Sequence, residues 1–431
     1  MNKCIIRNFD RSDFNPDTFI SDAIEKTRKH CEGRKVFLLV SGGVDSTVVF
    51  ALLNKALGPS RVLGLHIDTG LMRQNESAAI LDFLKSNGFD NLRIENAEEE
   101  FLTALDSVYD PEKKRQIIGD KFLAVKDKVS QKLSLNSDEW ILAQGTIYPD
   151  IIETAAKKEA GESGGKIKTH HNRVDAIMEL IEKGQIIEPI APLYKDEVRA
   201  VGVNLGLPRD LLWRHPFPGP GLGVRVLCND GTTLDNIPEE ESAKLETITS
   251  TAGYTSTVLP IRSTGKKGGE RTYARPVLIK GAFDREKIEK ITAEIIESIP
   301  SVNRVVYALT MGESSTDKTP CYTAIKAHTT RDRLNKLRAI DAIITEALIK
   351  SGEYDTIWQM PVVLLPITDG KNDGEPIVLR PVQSQDAMTA DIVWLKQDTI
   401  NTVIAQKSAI KGIGDIFLDV TPKPPGTIEW E

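Results

Sequence analysis

The sequence predicts an α/β protein: a doubly wound parallel sheet followed by two small α+β modules. Three observations carry this. Short apolar runs alternate with helical patterns over the first half of the chain, the pattern of strands that pair in parallel with helices on both faces. The first such run, Val36 to Val40, passes through a glycine turn directly into an apolar helix. In the second half, one pattern of strand, loop, strand, helix and strand occurs twice.

The bulk properties set the class. The chain has 431 residues, 40% hydrophobic and 27% charged, room for two or three domains of an ordinary globular protein. A net charge of −7 argues against broad nucleic-acid binding. No apolar run approaches the ~20 residues of a membrane span, and Met1 to Asp10 has no signal-peptide core. Cys4, Cys31, Cys228 and Cys321 are scattered without a CxxC, as expected of reduced thiols in a cytoplasmic protein.

Taken in order, residues 1–33 form a helical lead-in, with Phe19, Ile20, Ala23 and Ile24 on one face. Strands are expected at 36–40, 61–68, 91–95, 140–145 and 185–190, with helices from Val48 to Ala56, Asn75 to Asn87 and Leu193 to Leu207. Ligands of such sheets bind at the carboxyl ends of the strands. Asp45, Asp68, Thr146 and Asp150 follow strands, so they should converge on one crevice.

The segment Ser41-Gly42-Gly43-Val44-Asp45-Ser46-Thr47 is the leading candidate site. A helix start offers unpaired N–H groups and positive potential to an anion, and glycines let it approach. The hydroxyls of Ser41, Ser46 and Thr47 add donors. No Gly-Lys-Ser/Thr follows, so this is not a Walker A loop. The bland reading is an ordinary strand-to-helix turn.

Three other stretches stand out. Lys113, Lys114 and Arg115 precede an apolar pair, reading as a solvated helix face or as an anion contact. Gly161 to His171 is glycine-rich and carries Lys166, Lys168, His170 and His171; it ranks first as a lid over phosphates, then as a surface loop, and last as a metal site. Residues 214–227, RHPFPGPGLGVRVL, hold three prolines and three glycines within eight positions and form a rigid loop where the sheet domain ends.

SGGVDST resembles the signature of ATP pyrophosphatases, which cleave ATP to AMP and pyrophosphate. With AQGTIYPDIIE (143–153), IKTHHN (167–172), LYKDEVR (193–199), RHPFPGPGLGVRVL and the terminal KPPGTIEWE (423–431), nearly the whole chain resembles GMP synthetase. The resemblance implies an adenine nucleotide alpha hydrolase-like sheet domain over 34–227, a first α+β module over 228–345, and a second, dimerisation-type module over 346–431. It implies a ligase of purine biosynthesis: ATP adenylates O2 of xanthosine 5′-monophosphate (XMP), and ammonia displaces AMP to give GMP. Residues 41–47 then bind ATP and pyrophosphate, Asp45 with Asp150 serves magnesium, and Lys168 and His171 on the lid contact phosphates. Asp150 either binds the metal or orients its loop. Arg115, Asp317, Gln359, Lys423 and Glu429 match the family's XMP positions. The stiff Pro424-Pro425-Gly426 with Ile428 and Trp430 argues for a docked tail over a disordered one.

The chain departs from the family pattern in three ways. No glutaminase segment with a reactive cysteine precedes SGGVDS, so ammonia is expected free or from a separate glutaminase subunit. The lid reads HHNRVDAIMEL where the family commonly continues HHNVGGLP. The module is duplicated: Thr257 to Arg262 resembles Val363 to Thr368, and Val302 to Thr310 resembles Ile413 to Thr421. The copy at about 250–320 is expected to stand in for a dimer partner, giving a monomer, with a homodimer as the other possibility. The competing reading of the whole chain is a non-catalytic ATP/XMP-binding regulatory subunit.

Overall fold

A computed structural model describes residues 14–133, 138–151, 185–267, 270–311, 320–371, 374–384 and 388–431. The chain divides into two compact units. The first comprises Met1–Asp68, Ser77–Asn96 and Val125–Arg214, the second Thr69–Glu76, Ala97–Ala124 and His215–Glu431. This differs from the serial boundaries expected at 33/34, 227/228 and 345/346. The reason is visible in the rigid loop after residue 214. Its Leu222 N–H donates to the Leu71 carbonyl (2.7 Å), Leu227 N–H donates to the Leu364 carbonyl (3.0 Å), and Lys114 Nζ donates to the Val226 carbonyl (2.9 Å), so the loop and the two earlier excursions belong to the second unit.

The first unit is built on a five-stranded sheet of β1 (Lys35–Leu39), β2 (Val62–Asp68), β3 (Leu92–Asn96), β4 (Trp140–Ala143) and β5 (Ile186–Ile187). The order is β3-β2-β1-β4-β5 and every pairing is parallel. The expected doubly wound sheet is therefore present. β1 lies between β2 and β4, with Val36 opposite both Val62 and Ile141. A strand flanked on both edges and covered on both faces must be apolar, which is why Val36 to Val40 reads as one hydrophobic run.

Helix α1 (Pro16–Cys31) starts at Asn15, whose side chain accepts from the Asp17 and Thr18 N–H groups, both at 3.0 Å. Its buried face is Ile20, Ala23, Thr27 and Cys31, at helical spacing. Helix α2 (Val44–Leu57) is buried on nearly every side, packed against α1 and α3 (Lys195–Asn204). Each fully buried aliphatic side chain there contributes about 1.5–3 kcal/mol. That packing holds the start of α2 at the carboxyl edge of the sheet.

The second unit holds a seven-stranded sheet. One copy of the repeat supplies β6 (Thr255–Val258), β7 (Ser263–Lys267), β8 (Glu270–Lys280) and β9 (Val302–Ala308), with helix α4 (Arg285–Ser298) crossing between β8 and β9. Helix α5 (Arg331–Ser351) leads to the other copy: β10 (Val362–Leu364), β11 (Glu375–Leu379), helix α6 (Gln397–Lys407) and β12 (Ile413–Asp419). The order is β10-β11-β12-β9-β8-β6, with β7 paired to β8. Outer pairs are antiparallel, inner pairs are parallel, and the copies join through the antiparallel pair β9/β12. Leu278, Val306 and Ala308 from one copy share a core with Val363, Val378, Phe417 and Trp430 from the other. The two modules expected from the repeat are thus halves of one sheet.

Among the described residues, no helix is long and apolar enough to cross a membrane.

Candidate functional site

In the first unit the site is the turn from β1 into α2. Gly43 is the N-cap with extended backbone, so the first N–H groups of α2 lack intrahelical acceptors. Gly42 has φ of 80°, and a Cβ there would lie 2.3 Å from Ile80 Cδ1. The left-handed backbone is what calls for glycine at that position, since Ile80 Cδ1 is the end of a side chain that can move.

The three hydroxyls are not equivalent. Ser46 and Thr47 donate back to the Gly43 carbonyl at 3.1 and 2.9 Å, and Thr47 is completely buried. Ser41 is exposed, with its Oγ 3.1 Å from that of Ser46. The expectation that all three face an anion is therefore corrected. Ser41 is presented outward, and Thr47 shapes the turn from within.

Two cations frame this loop. Lys195, at the start of α3, donates to both carboxylate oxygens of Asp45 at 2.8 and 2.7 Å. Arg214 Nη1 donates to the Gly42 carbonyl at 2.9 Å. Neither was singled out from sequence as a site residue, although both lie inside motif stretches noted there. Asp68 ends β2 and Thr146 follows β4, the strands on either side of β1. Thr146 Oγ1 donates to Glu188 at 2.5 Å. Asp150 is exposed, and its Oδ2 accepts from the Ile147 N–H at 3.0 Å, a loop-orienting bond.

His66, on β2, is buried with Nδ1 2.7 Å from the Val40 carbonyl and Nε2 3.0 Å from Ser77 Oγ. A carbonyl only accepts, so Nδ1 carries the proton and Nε2 accepts from the serine. Burial is the main influence and holds its pKa below the usual histidine value. Neutral His66 ties β2 to the end of β1, where the glycine turn begins.

No cluster of three carboxylate, histidine or cysteine side chains suited to a metal is present among the described residues. Asp45 is engaged by Lys195. A magnesium ion takes only one or two carboxylates when phosphate oxygens and waters complete its shell. Among the described residues, the donor set near α2 would suit an ion that brings its own phosphate oxygens and waters.

In the second unit the candidate site is the C-terminal tail. It is docked rather than loose. Lys423 exchanges main-chain bonds with Ala390 (2.8 and 3.1 Å), and the Pro425 and Trp430 carbonyls accept from Lys266 (2.7 Å) and Thr264 (2.8 Å). Lys423–Pro424 and Pro424–Pro425 are cis. Trp430 is fully buried.

Glu429 and Gln359, paired from sequence only through the family resemblance, meet directly: Gln359 Nε2 donates to Glu429 Oε1 at 2.8 Å. The stronger partner is one not singled out from sequence. Arg225 binds Glu429 with both arms of its guanidinium, at 3.0 and 2.9 Å. Arg225 is completely buried, whereas the Glu429 side chain keeps 16% exposure. Burial is the largest influence on Arg225 and pulls its pKa down, but Glu429 more than offsets it, so the arginine is held above its ordinary value. The rigid loop delivers this residue. Gly221 has φ of 61°, and a Cβ would come 2.3 Å from the Leu71 carbonyl oxygen, so only glycine permits the approach that fixes the loop. The Phe217 ring of the same loop lies 5.3 Å from the Arg225 guanidinium and 4.4 Å from that of Arg73.

The run of three cations splits. Arg115 is half-buried, with Nη1 3.8 Å from Glu112. Lys114 is completely buried, pairs with the Glu431 carboxylate and donates to the Val226 carbonyl at 2.9 Å. A solvated face is therefore wrong for Lys114, which anchors the last residue of the tail. Lys168, His171 and Asp317 lie outside the described residues.

These two sites can be set beside known proteins. A model of the NAD synthase family matches residues 18–120, and one of the GMP synthase C-terminal domain matches residues 346–430. The chain is 42% identical over 420 residues to "Probable GMP synthase (glutamine-hydrolyzing)" of Leptospira interrogans, an alignment covering 96% of this chain and 67% of that one. It is 33% identical over 469 residues to the GMP synthase (glutamine-hydrolyzing) of Dictyostelium discoideum, covering 95% and 64%. Against that of Staphylococcus epidermidis it is 40% identical over 338 residues, covering 72% and 64%.

Proposed function

The chain belongs to the GMP synthase family, and we propose that it makes GMP by adenylating XMP with ATP and replacing AMP with ammonia. The observation that carries the substrate half of this reading is Glu429. Its carboxylate is partly open to solvent and is held by Arg225 and Gln359 at the end of a docked tail. A fixed carboxylate is an acceptor for the N–H edge of a purine, and Lys423 earlier on the same tail supplies a charge suited to a 5′-phosphate. Arg115, Asp317 and Gln359 complete the XMP set that the family pattern assigns.

ATP is assigned to residues 41–47. Free N–H groups at the start of α2, Ser41, and the cations Lys195 and Arg214 suit the leaving pyrophosphate. The XMP O2 oxygen attacks the α-phosphorus of ATP and pyrophosphate leaves. Ammonia then adds at C2 and AMP departs with that oxygen. A carbonyl oxygen leaves poorly; adenylation makes it part of a good leaving group. Magnesium, when bound, neutralises charge growing on the phosphates. Asp45 is the residue we assign to it, released from Lys195 as that ammonium turns to phosphate, and Asp150 orients the neighbouring loop or joins it. Lys168 and His171 are assigned to phosphate contacts that keep water from the adenylate.

The nitrogen donor in this proposal is ammonia, free or delivered by a separate glutaminase. Cys31, Cys228 and Cys321 are free thiols, which supports a reducing compartment, the cytoplasm. A regulatory subunit without catalysis is not favoured, because the phosphate loop is intact. The test is GMP formation from XMP, ATP and magnesium, with ammonium and with glutamine in parallel. Turnover with ammonium is the expected result. A folded protein that turns over with neither donor would refute the proposal.

A further inference from the structure

One buried side chain of the first copy of the repeat reaches into the tail. Arg304, on β9, is completely buried. Its Nη1 donates to Asp419 Oδ2 at 2.7 Å. Its Nη2 faces four acceptors: the carbonyls of Thr264 (2.9 Å), Thr427 (2.8 Å) and Glu429 (3.1 Å), and Thr427 Oγ1 (2.8 Å). The guanidinium also lies 5.0 Å from the centre of the Trp430 ring. Asp419 Oδ2 accepts in addition from Arg380 Nη1 (2.8 Å) and Trp430 Nε1 (2.9 Å).

Two guanidiniums and one carboxylate, all buried, are an inefficient source of stability. Desolvation offsets most of their attraction, and apolar replacements of such clusters are often as stable. Burial pulls the pKa of Arg304 down to about 9, against the opposing pull of Asp419, so it still carries its charge at neutral pH. What a guanidinium supplies that an apolar group does not is direction, because its donors are fixed in one plane. The acceptors collected here belong to the tail at and just before the residue that meets the purine. Strand β7 works to the same end: Thr264 and Lys266 pair with the main chain of Trp430 and Pro425, and Thr427 Oγ1 donates to the Thr264 carbonyl at 2.9 Å.

We propose that Arg304, contributed by the first copy of the repeat, is a positioning residue for XMP that fixes the main chain at Glu429 while Arg225 and Gln359 fix its carboxylate. This rests on the reading that the tail binds XMP. The first copy is then part of the substrate site as well as half of a sheet. Arg304 does not touch the nucleotide; it sets the register in which Glu429 meets it.

The test uses the full chain, with XMP and ATP affinities measured by calorimetry beside steady-state kinetics. Arg304→Met is expected to lower kcat/KM for XMP by about 100-fold, the scale of a misplaced contact group, with ATP affinity within about twofold of wild type. Arg304→Lys keeps the charge but loses the fork, so it is expected to restore the melting temperature and not the XMP affinity. Full XMP affinity in Arg304→Lys would overturn the proposal, since charge alone would then suffice. Equal loss of ATP and XMP binding in Arg304→Met would overturn it too. Should Arg304→Met not fold, Thr427→Val decides, as it removes one acceptor of the fork without touching a charge. Weaker XMP binding with normal ATP binding supports the proposal, and unchanged XMP binding overturns it. A folded wild-type chain that binds ATP and not XMP would instead refute the functional reading beneath it, and this inference with it.

Discussion

Tyr307 and Leu418 face each other across the antiparallel pair β9/β12, and they are counterparts in the duplicated sequence. On either side Val306 pairs with Asp419 and Ala308 with Phe417, and the repeat makes Val306 the counterpart of Phe417 and Ala308 that of Asp419. Exchanging the two copies leaves this ladder unchanged. A local two-fold axis therefore runs between Tyr307 and Leu418, the arrangement by which identical subunits form a closed dimer.

We predict from this that the protein is a monomer, because one chain already supplies both halves of the contact. Light scattering at micromolar concentration should give the mass of a single chain. An obligate dimer joined through the second copy would show that the internal pairing does not replace a partner.

Asp45→Ala should lower the rate of adenylation by about 10²–10³-fold, the scale on which loss of one preorganised charge at a developing anion is felt. XMP affinity should stay near wild type, because Asp45 pairs with Lys195 of the first unit and the tail belongs to the second. The Asp45–Lys195 pair is half exposed, so its removal should leave the melting temperature within about 2 °C, as expected for exposed pairs. A rate near wild type would remove Asp45 from the metal role.

Glu429→Gln separates recognition from folding better than deleting the tail. Trp430 is fully buried in the shared core, so removing Lys423 to Glu431 would cost about 3–5 kcal/mol for that side chain alone and blur any binding effect. The glutamine variant keeps the shape but leaves buried Arg225 without its carboxylate, so its melting temperature is measured beside binding. It should weaken XMP by about 10-fold to 100-fold, the worth of hydrogen bonds to an ionised acceptor, and leave ATP binding unchanged. Equal loss of both nucleotides would point to misfolding.

Most of the fold was legible in the sequence because its signals are local. The run Val36 to Val40 is apolar on both faces since β1 is flanked and covered. The glycine turn from β1 into α2 was legible for the same reason. What could not be read were partnerships between distant residues. Lys195 reaches Asp45, Arg225 reaches Glu429 and Arg304 reaches Thr427 only after the sheets form. An arginine destined for burial looks like any surface arginine until its acceptors are known. The one hint was context: Arg225 lies in a stretch stiffened by proline and glycine, where a long flexible side chain on a fixed backbone marks a placed donor. The interleaving of the two units was hidden for a related reason, since the exchange at residues 69–76 and 97–124 follows from contacts and not from composition.

His66 makes stability depend on pH in a defined direction. Burial is the largest influence and lowers its pKa in the folded state below the ordinary 6.5. Protonation would also cost the Nε2 site its acceptor role toward Ser77. The unfolded chain therefore takes up a proton at higher pH than the folded one. Stability from neutral His66 is complete above about pH 6.5 and is lost as pH falls below it toward the folded-state value. Urea unfolding between about pH 5 and 8 should show stability falling on the acid side of that point. His66→Gln should flatten part of this slope, since glutamine can donate to Val40 without titrating. The remaining slope is expected from His215, likewise buried and held below its usual pKa. An unchanged slope in His66→Gln would mean that His66 does not set the pH dependence of stability.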